Sequence, residues 1–124
     1  MTIPKRIVVA KNKDTLTLEY DQRQFDLPAE YLRVFSPSAE VRGHGHGQEV
    51  LQFGKQFVLI DNVIASGNYA IQIIFNDGHD SGIFSWDYLF DLGSNYTQNW
   101  SNYLDQLHQA GKSREPDTQV VKLL

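Results

Sequence analysis

The chain contains no cysteine among its 124 residues, and a single methionine. That absence rules out disulfide frameworks, thiolate zinc fingers, iron–sulfur ligation by this chain alone and a cysteine nucleophile. Positive charge is also scarce: eleven Lys and Arg against fifteen Asp and Glu give a formal charge of −4. No strongly basic field is available to hold nucleic acid. Long apolar runs are missing as well. Ile7–Ala10 is too short for a signal-peptide core, and nothing approaches the roughly 18 apolar residues of a membrane span. A cytoplasmic single domain, binding neither nucleic acid nor membrane, is the expectation.

What the sequence does contain is short alternating segments broken by turn residues. Ile7–Ala10 and Thr15–Tyr20 flank Asn12-Lys13-Asp14 and predict a hairpin, with Leu16, Leu18 and Tyr20 on one face. Gln24–Leu27 reads as a further strand, and Pro28 fits the start of a short helix to Phe35 that Ser36-Pro37-Ser38 stops. Val50–Phe53, Phe57–Ile60 and Val63–Ala65 read as short strands. Tyr69–Phe75 is the most strand-like run, with Tyr69, Ile71, Ile73 and Phe75 on one face, and Asp77-Gly78 predicts a tight turn to a strand over Gly82–Ser85. Ser85 should cap one helix that Gly93 ends. A last helix is expected over about Asn95–Ala110, capped by Ser94 and ended by Gly111, with Tyr96, Trp100, Tyr103, Leu104 and Leu107 on its apolar stripe. The fold class is α+β: an antiparallel sheet of short strands, short helices and a C-terminal helix, forming one domain over residues 1–111. Residues 112–124 are read as a flexible tail, although Val120, Val121, Leu123 and Leu124 make its end apolar.

Two histidine clusters could carry chemistry. In Val41-Arg42-Gly43-His44-Gly45-His46-Gly47, two imidazoles two residues apart can face one side, and the glycines let the backbone adapt around an ion. The plainer reading is a solvated loop. A cupin pattern would need a glutamate three or four residues after His46, where Val50 and Leu51 stand. In Asp77-Gly78-His79-Asp80, the histidine could ligate a metal with its second nitrogen on a carboxylate, or the aspartates could simply shape the turn. No His-x-Asp/Glu pair, Gly-x-Ser-x-Gly elbow, P-loop or dinucleotide-binding glycine motif is present. An acid–base enzyme built on His79 with Asp77 or Asp80 would need a concave pocket. The aromatic residues, 12% of the chain, fall at core-facing positions, which disfavours a base-stacking platform.

Three segments together resemble a known family: Leu27-Pro-Ala-Glu-Tyr-Leu-Arg33 with Ser36-Pro-Ser-Ala-Glu-Val41, Gly67-Asn-Tyr-Ala-Ile71, and Phe75-Asn-Asp-Gly-His-Asp-Ser-Gly-Ile-Phe-Ser-Trp-Asp-Tyr-Leu89. They resemble the gamma-butyrobetaine hydroxylase-like N-terminal domain family, formerly a domain of unknown function, in a stand-alone bacterial-type form. The resemblance spans roughly Leu16–Gly93. In the hydroxylases such a domain precedes a larger 2-oxoglutarate oxygenase domain, of which nothing is present here, and a related domain accompanies iron–sulfur ATPases. The resemblance therefore implies an accessory or protein-interaction module connected with iron or iron–sulfur handling, and no catalysis. It also implies a zinc site of three cysteines and one histidine. Ser36, Ser38 and Val41 stand at or near the cysteine positions and His79 keeps the histidine, so that thiolate site is read as lost. The remaining metal hypothesis is iron or zinc held by His44, His46 and His79. The expected contact surface for a protein partner is His44, His46, His79, Asp80 and Trp86.

Overall fold

The computed structural model describes residues 2–43 and 47–116. Two antiparallel three-stranded sheets face a shared interior. The first runs β1 (Arg6–Val9), β2 (Thr15–Glu19), β3 (Gln24–Pro28), and the second β4 (Ile60–Ser66), β5 (Ala70–Phe75), β6 (Gly82–Ser85), each in chain order. Four helices complete the fold: α1 (Ala29–Val34), α2 (Ala39–Arg42), α3 (Trp86–Ser94) and α4 (Tyr96–Ala110). The α+β class and the C-terminal helix are as the sequence implies. Among the described residues, no helix is long and apolar enough to cross a membrane.

Local chemistry explains most of these elements. Leu16 and Leu18 alternate inward on β2 and are fully buried. Lys13 takes a positive φ of 68° in the turn between β1 and β2. Ser85 caps α3 through a bond from the Tyr88 amide, and Gly111 closes α4 in the left-handed region. The inner faces of both sheets, with Tyr31 and Leu32 of α1 and Leu89 and Leu92 of α3, form one core. Val34, Tyr103 and Leu107 make a satellite cluster where α4 packs on α1. The buried Tyr31 hydroxyl ties three helices: it donates to Leu92 O at 2.7 Å and accepts from Asn99 Nδ2 at 3.0 Å.

Several expectations differ in ways that local patterning explains. Residues 50–53 and 57–59 form no ladder, and Val63–Ala65 belongs to a longer β4 that starts at Ile60. Tyr69 lies in the turn before β5 and is 61% exposed, while Ile71, Ile73 and Phe75 do point inward. Ser36-Pro37-Ser38 is followed by a further helical turn, α2, which the sequence reading had as loop. Leu104 on the α4 stripe is 39% exposed. Residues 112–116 continue in order after α4 where a flexible tail was expected. Ser113 O and Arg114 O accept from Gly54 N and Gln56 N, and Arg114 makes two hydrogen bonds to the buried carboxylate of Glu30 at 2.7 and 2.9 Å. The remainder of the expected tail, 117–124, lies outside the described residues.

Candidate functional site

The turn joining β5 to β6 folds back on itself and carries His79 inward. Gly78 supplies the positive φ of 90° that the Asp-Gly pair predicted. Asp77 Oδ1 accepts from the His79 amide at 3.1 Å, and His79 O accepts from Phe75 N at 2.9 Å. The ring then lies against Phe75, with centroids 6.0 Å apart, and the residue is only 5% exposed.

Both ring nitrogens are occupied. Nε2 faces Ser36 Oγ at 2.9 Å and Ser38 Oγ at 3.3 Å, and Nδ1 faces Glu40 Oε2 at 3.2 Å. A carboxylate can only accept, so Nδ1 carries the proton and donates to Glu40, leaving Nε2 to accept from the Ser36 hydroxyl. Burial, followed by the nearby Arg33 charge, lowers the His79 pKa against the opposing pull of Glu40 and Asp77. The neutral ring is thus the resident form.

Asp77 sits on the other side of the turn in an ion cluster. Its Oδ2 accepts from Arg33 Nε at 2.9 Å and Lys55 Nζ at 2.7 Å, and Arg33 also donates to Gln52 Oε1 at 3.0 Å. Burial alone would raise this carboxyl, but the bonds from Lys55, the His79 amide and Arg33 outweigh it and hold the pKa at about 2.

Two of the three residues that the resemblance sets at or near cysteine positions therefore converge on His79. Ser36 and Ser38, 43 and 41 residues away from His79, reach the same imidazole nitrogen. They do not fit a zinc ion of the thiolate type: two neutral hydroxyls replace charged sulfurs, and the buried Val41 offers no donor atom. Hydrogen bonds fill the place instead. Among the described residues, no group of three or more His, Asp and Glu side chains could hold a metal ion. His44 and His46 lie outside the described residues.

The order Ser36–His79–Glu40 is that of a nucleophile, base and acid relay, but Ser36 is 1% exposed. A methyl group at Gly82 would stand 2.6 Å from Ser36 Oγ, so β6 closes one side of that hydroxyl. The partner of the imidazole is Glu40, which the sequence reading had not singled out. Neither the Asp77 nor the Asp80 carboxylate plays that part: Asp77 shapes the turn and pairs cations, and the Asp80 carbonyl accepts from Gln72. Two of the expected contact residues are interior. His79 is held as described, and Trp86, 9% exposed, donates from Nε1 to Asn68 O at 2.9 Å. Asp80 is exposed.

A concavity also lies beside Ser36. A cleft of about 900 Å³ runs between the segment 49–52, the end of α2 and the second half of α4. Val34, Phe35, Val41, Leu51 and Tyr103 give it apolar walls, while Arg42, Glu49, Gln52, Gln106 and Gln109 supply polar groups. Val50, also lining it, is 52% exposed. Gly43, next to the His44–His46 segment, lies on the same cleft.

With two three-stranded antiparallel sheets and four helices among the described residues, the molecule is an α+β domain. The chain belongs to the family described as gamma-butyrobetaine hydroxylase-like, N-terminal, which matches residues 7–90. Comparison with curated proteins finds no match. Among solved structures, two determined by NMR in solution are similar over 100% of this chain. One is 53% identical (TM-score 0.83, 98% of that chain covered), the other 42% identical (TM-score 0.79, 94% covered). A crystal structure from Acidithiobacillus ferrooxidans, a protein of unknown function in the DUF971 family, is 32% identical with a TM-score of 0.60. It covers 73% of this chain and 91% of that one.

Proposed function

We propose that this domain is a non-catalytic accessory module that recognises a partner protein through the cleft beside α4. The observation that carries the reading is the cleft itself: apolar walls, a polar margin and a half-exposed valine at its opening. Protein interfaces are built in this way, with an apolar centre and a polar rim. Tyr88 and Tyr103 donate their hydroxyl protons to Phe35 O and Gln52 O. Burial raises both pKa values, that of Tyr103 to about 12, so neither serves as a base. Gly43 lines this face, and His44 and His46, which follow it in the sequence, belong to the proposed contact. A cytoplasmic location is part of the proposal, as is a partner connected with iron chemistry, which rests on the family resemblance.

A photo-crosslinking residue placed at position 50, compared in cells with one at the exposed Arg6, tests the reading. A discrete adduct is expected from position 50 alone, and it should vanish when Gln106 is replaced by Trp to fill the cleft. Equal adducts from both positions, or persistence with the cleft filled, would overturn it. The identity of the captured protein reads out the iron connection.

A further inference from the structure

We propose that the outward face of the β4-β5-β6 sheet docks a protein segment that carries Lys or Arg around apolar residues. Strand alternation defines this face. Ile71, Ile73 and Phe75 of β5 point into the core, so Gln72 and Ile74 point away from it. The register sets Ile64 of β4 and Ile83 of β6 on either side of Gln72, in one row across all three strands, and pairs Ile74 with Asn62. Ile64 and Ile83 are 43% and 46% exposed. None of these residues lines the cleft beside α4.

The first sheet gives the contrast. Its outward face carries Arg6, Thr17, Glu19 and Asp26, with Arg6 paired to Glu19 at 3.6 Å and Thr17 Oγ1 donating to Asp26 Oδ1 at 2.7 Å. That is the polar surface an antiparallel sheet turns to water. The second sheet puts three isoleucines and two neutral amides in such places. Exposed apolar patches of this kind mark interaction sites, and charged side chains are depleted at the centre of protein interfaces.

Charge at the margin selects the occupant. Residues 56–111 contain six Asp and no Glu, Lys or Arg. Asp61 precedes Asn62 on β4, and Asp80 lies beside the face because its carbonyl accepts from Gln72 Nε2 at 2.7 Å. Both residues are exposed, and neither carboxylate has a hydrogen-bond or ion-pair partner among the described residues. A second copy brings the same carboxylates and no cation from this face to meet them. Nucleic acid and anionic membranes bring further negative charge. A segment with Lys or Arg around an apolar centre complements both the middle and the rim.

A photo-crosslinking residue at position 72, with one at Thr17 on the first sheet as the control, tests this in cells, and mass spectrometry identifies the captured segment. An adduct is expected from position 72 alone, on a segment whose apolar residues are flanked by Lys or Arg. Asp61→Lys with Asp80→Lys should cut its yield about tenfold or more, and Asp61→Glu with Asp80→Glu should keep it. Ile64→Asn with Ile83→Asn, which removes the apolar centre at exposed positions, should also lose the adduct, with thermal unfolding checking that each variant folds. Capture supports the proposal only when the basic segment and the charge dependence appear together. No adduct, an adduct to a second copy of this chain, a segment without Lys or Arg, or a yield untouched by the charge reversal overturns it.

Discussion

Replacing Asp77 by Asn removes one charge while keeping an oxygen for the His79 amide. A carboxyl held at about 2 against an unstructured value of 3.8 corresponds to ~2.4 kcal/mol of stability at neutral pH. Solvent screening reduces this, because the Asp77 side chain keeps 22% exposure, so ~1–2 kcal/mol is expected from the carboxylate alone. Arg33, 9% exposed at its side chain, loses its ion partner and keeps only Gln52, which places the cost of Asp77→Asn at the upper end of that range. The folded pKa is depressed, so this stability is complete above 3.8 and is lost as pH falls through about 2. The difference between wild type and variant should therefore shrink to about half by pH 3. Urea unfolding followed by tryptophan fluorescence at pH 7, 5, 4 and 3 measures it directly. A gap of the same size at pH 3 and pH 7 would show that the charge is not what stabilises the turn, and would refute the reasoning.

Three further outcomes follow from the same geometry. The His79 ring should titrate below 6.5, its ordinary value, in an NMR pH series. Because its folded pKa is lowered, stability should decline as pH falls below 6.5, and His79→Gln should flatten that dependence; a midpoint above 6.5 would contradict the site. The correspondence of Ser36, Ser38 and Val41 with cysteine positions predicts that the triple change to Cys creates, with His79, a site for one zinc ion. Thiolate absorbance during metal titration checks it, and no gain over wild type would break the correspondence. Gly93→Ala should cost ~1–3 kcal/mol in thermal unfolding, since a Cβ there would sit 2.3 Å from the Phe25 ring where α3 crosses β3; an unchanged melting temperature would contradict that close approach.

The elements legible in advance are those whose signal is local. Leu16 and Leu18 declare a strand face by alternation, Ser85 a helix start by its hydroxyl, and Asp77-Gly78 a turn by its backbone freedom. Residues 50–53 show where that logic stops: they are apolar enough for a strand, yet they line a cleft without a ladder. The site itself depends on pairs that no periodicity encodes. Glu40 and His79 are 39 residues apart, and Glu30 and Arg114 are 84 apart. Family resemblance supplied one such link, drawing Ser36 and Ser38 toward His79, because it carries tertiary information that a single pattern lacks. Trp86 reads as a contact residue from its place at the end of the His79–Trp86 segment, but at the start of α3 its ring is buried and donates from Nε1 to Asn68 O.

The clamp between Glu30 and Arg114 separates the family segment from the folding unit. The family match ends at residue 90, whereas Val34 is covered by Tyr103 and Leu107 of α4, and the 6%-exposed Glu30 depends on a cation beyond it. A fragment limited to the matched residues would bare an apolar helix face and strand a buried charge. Any family member lacking an equivalent of α4 has to find its cover elsewhere, in a neighbouring domain or another protein, and that replacement would mark where the matched segment is joined to the rest of its molecule.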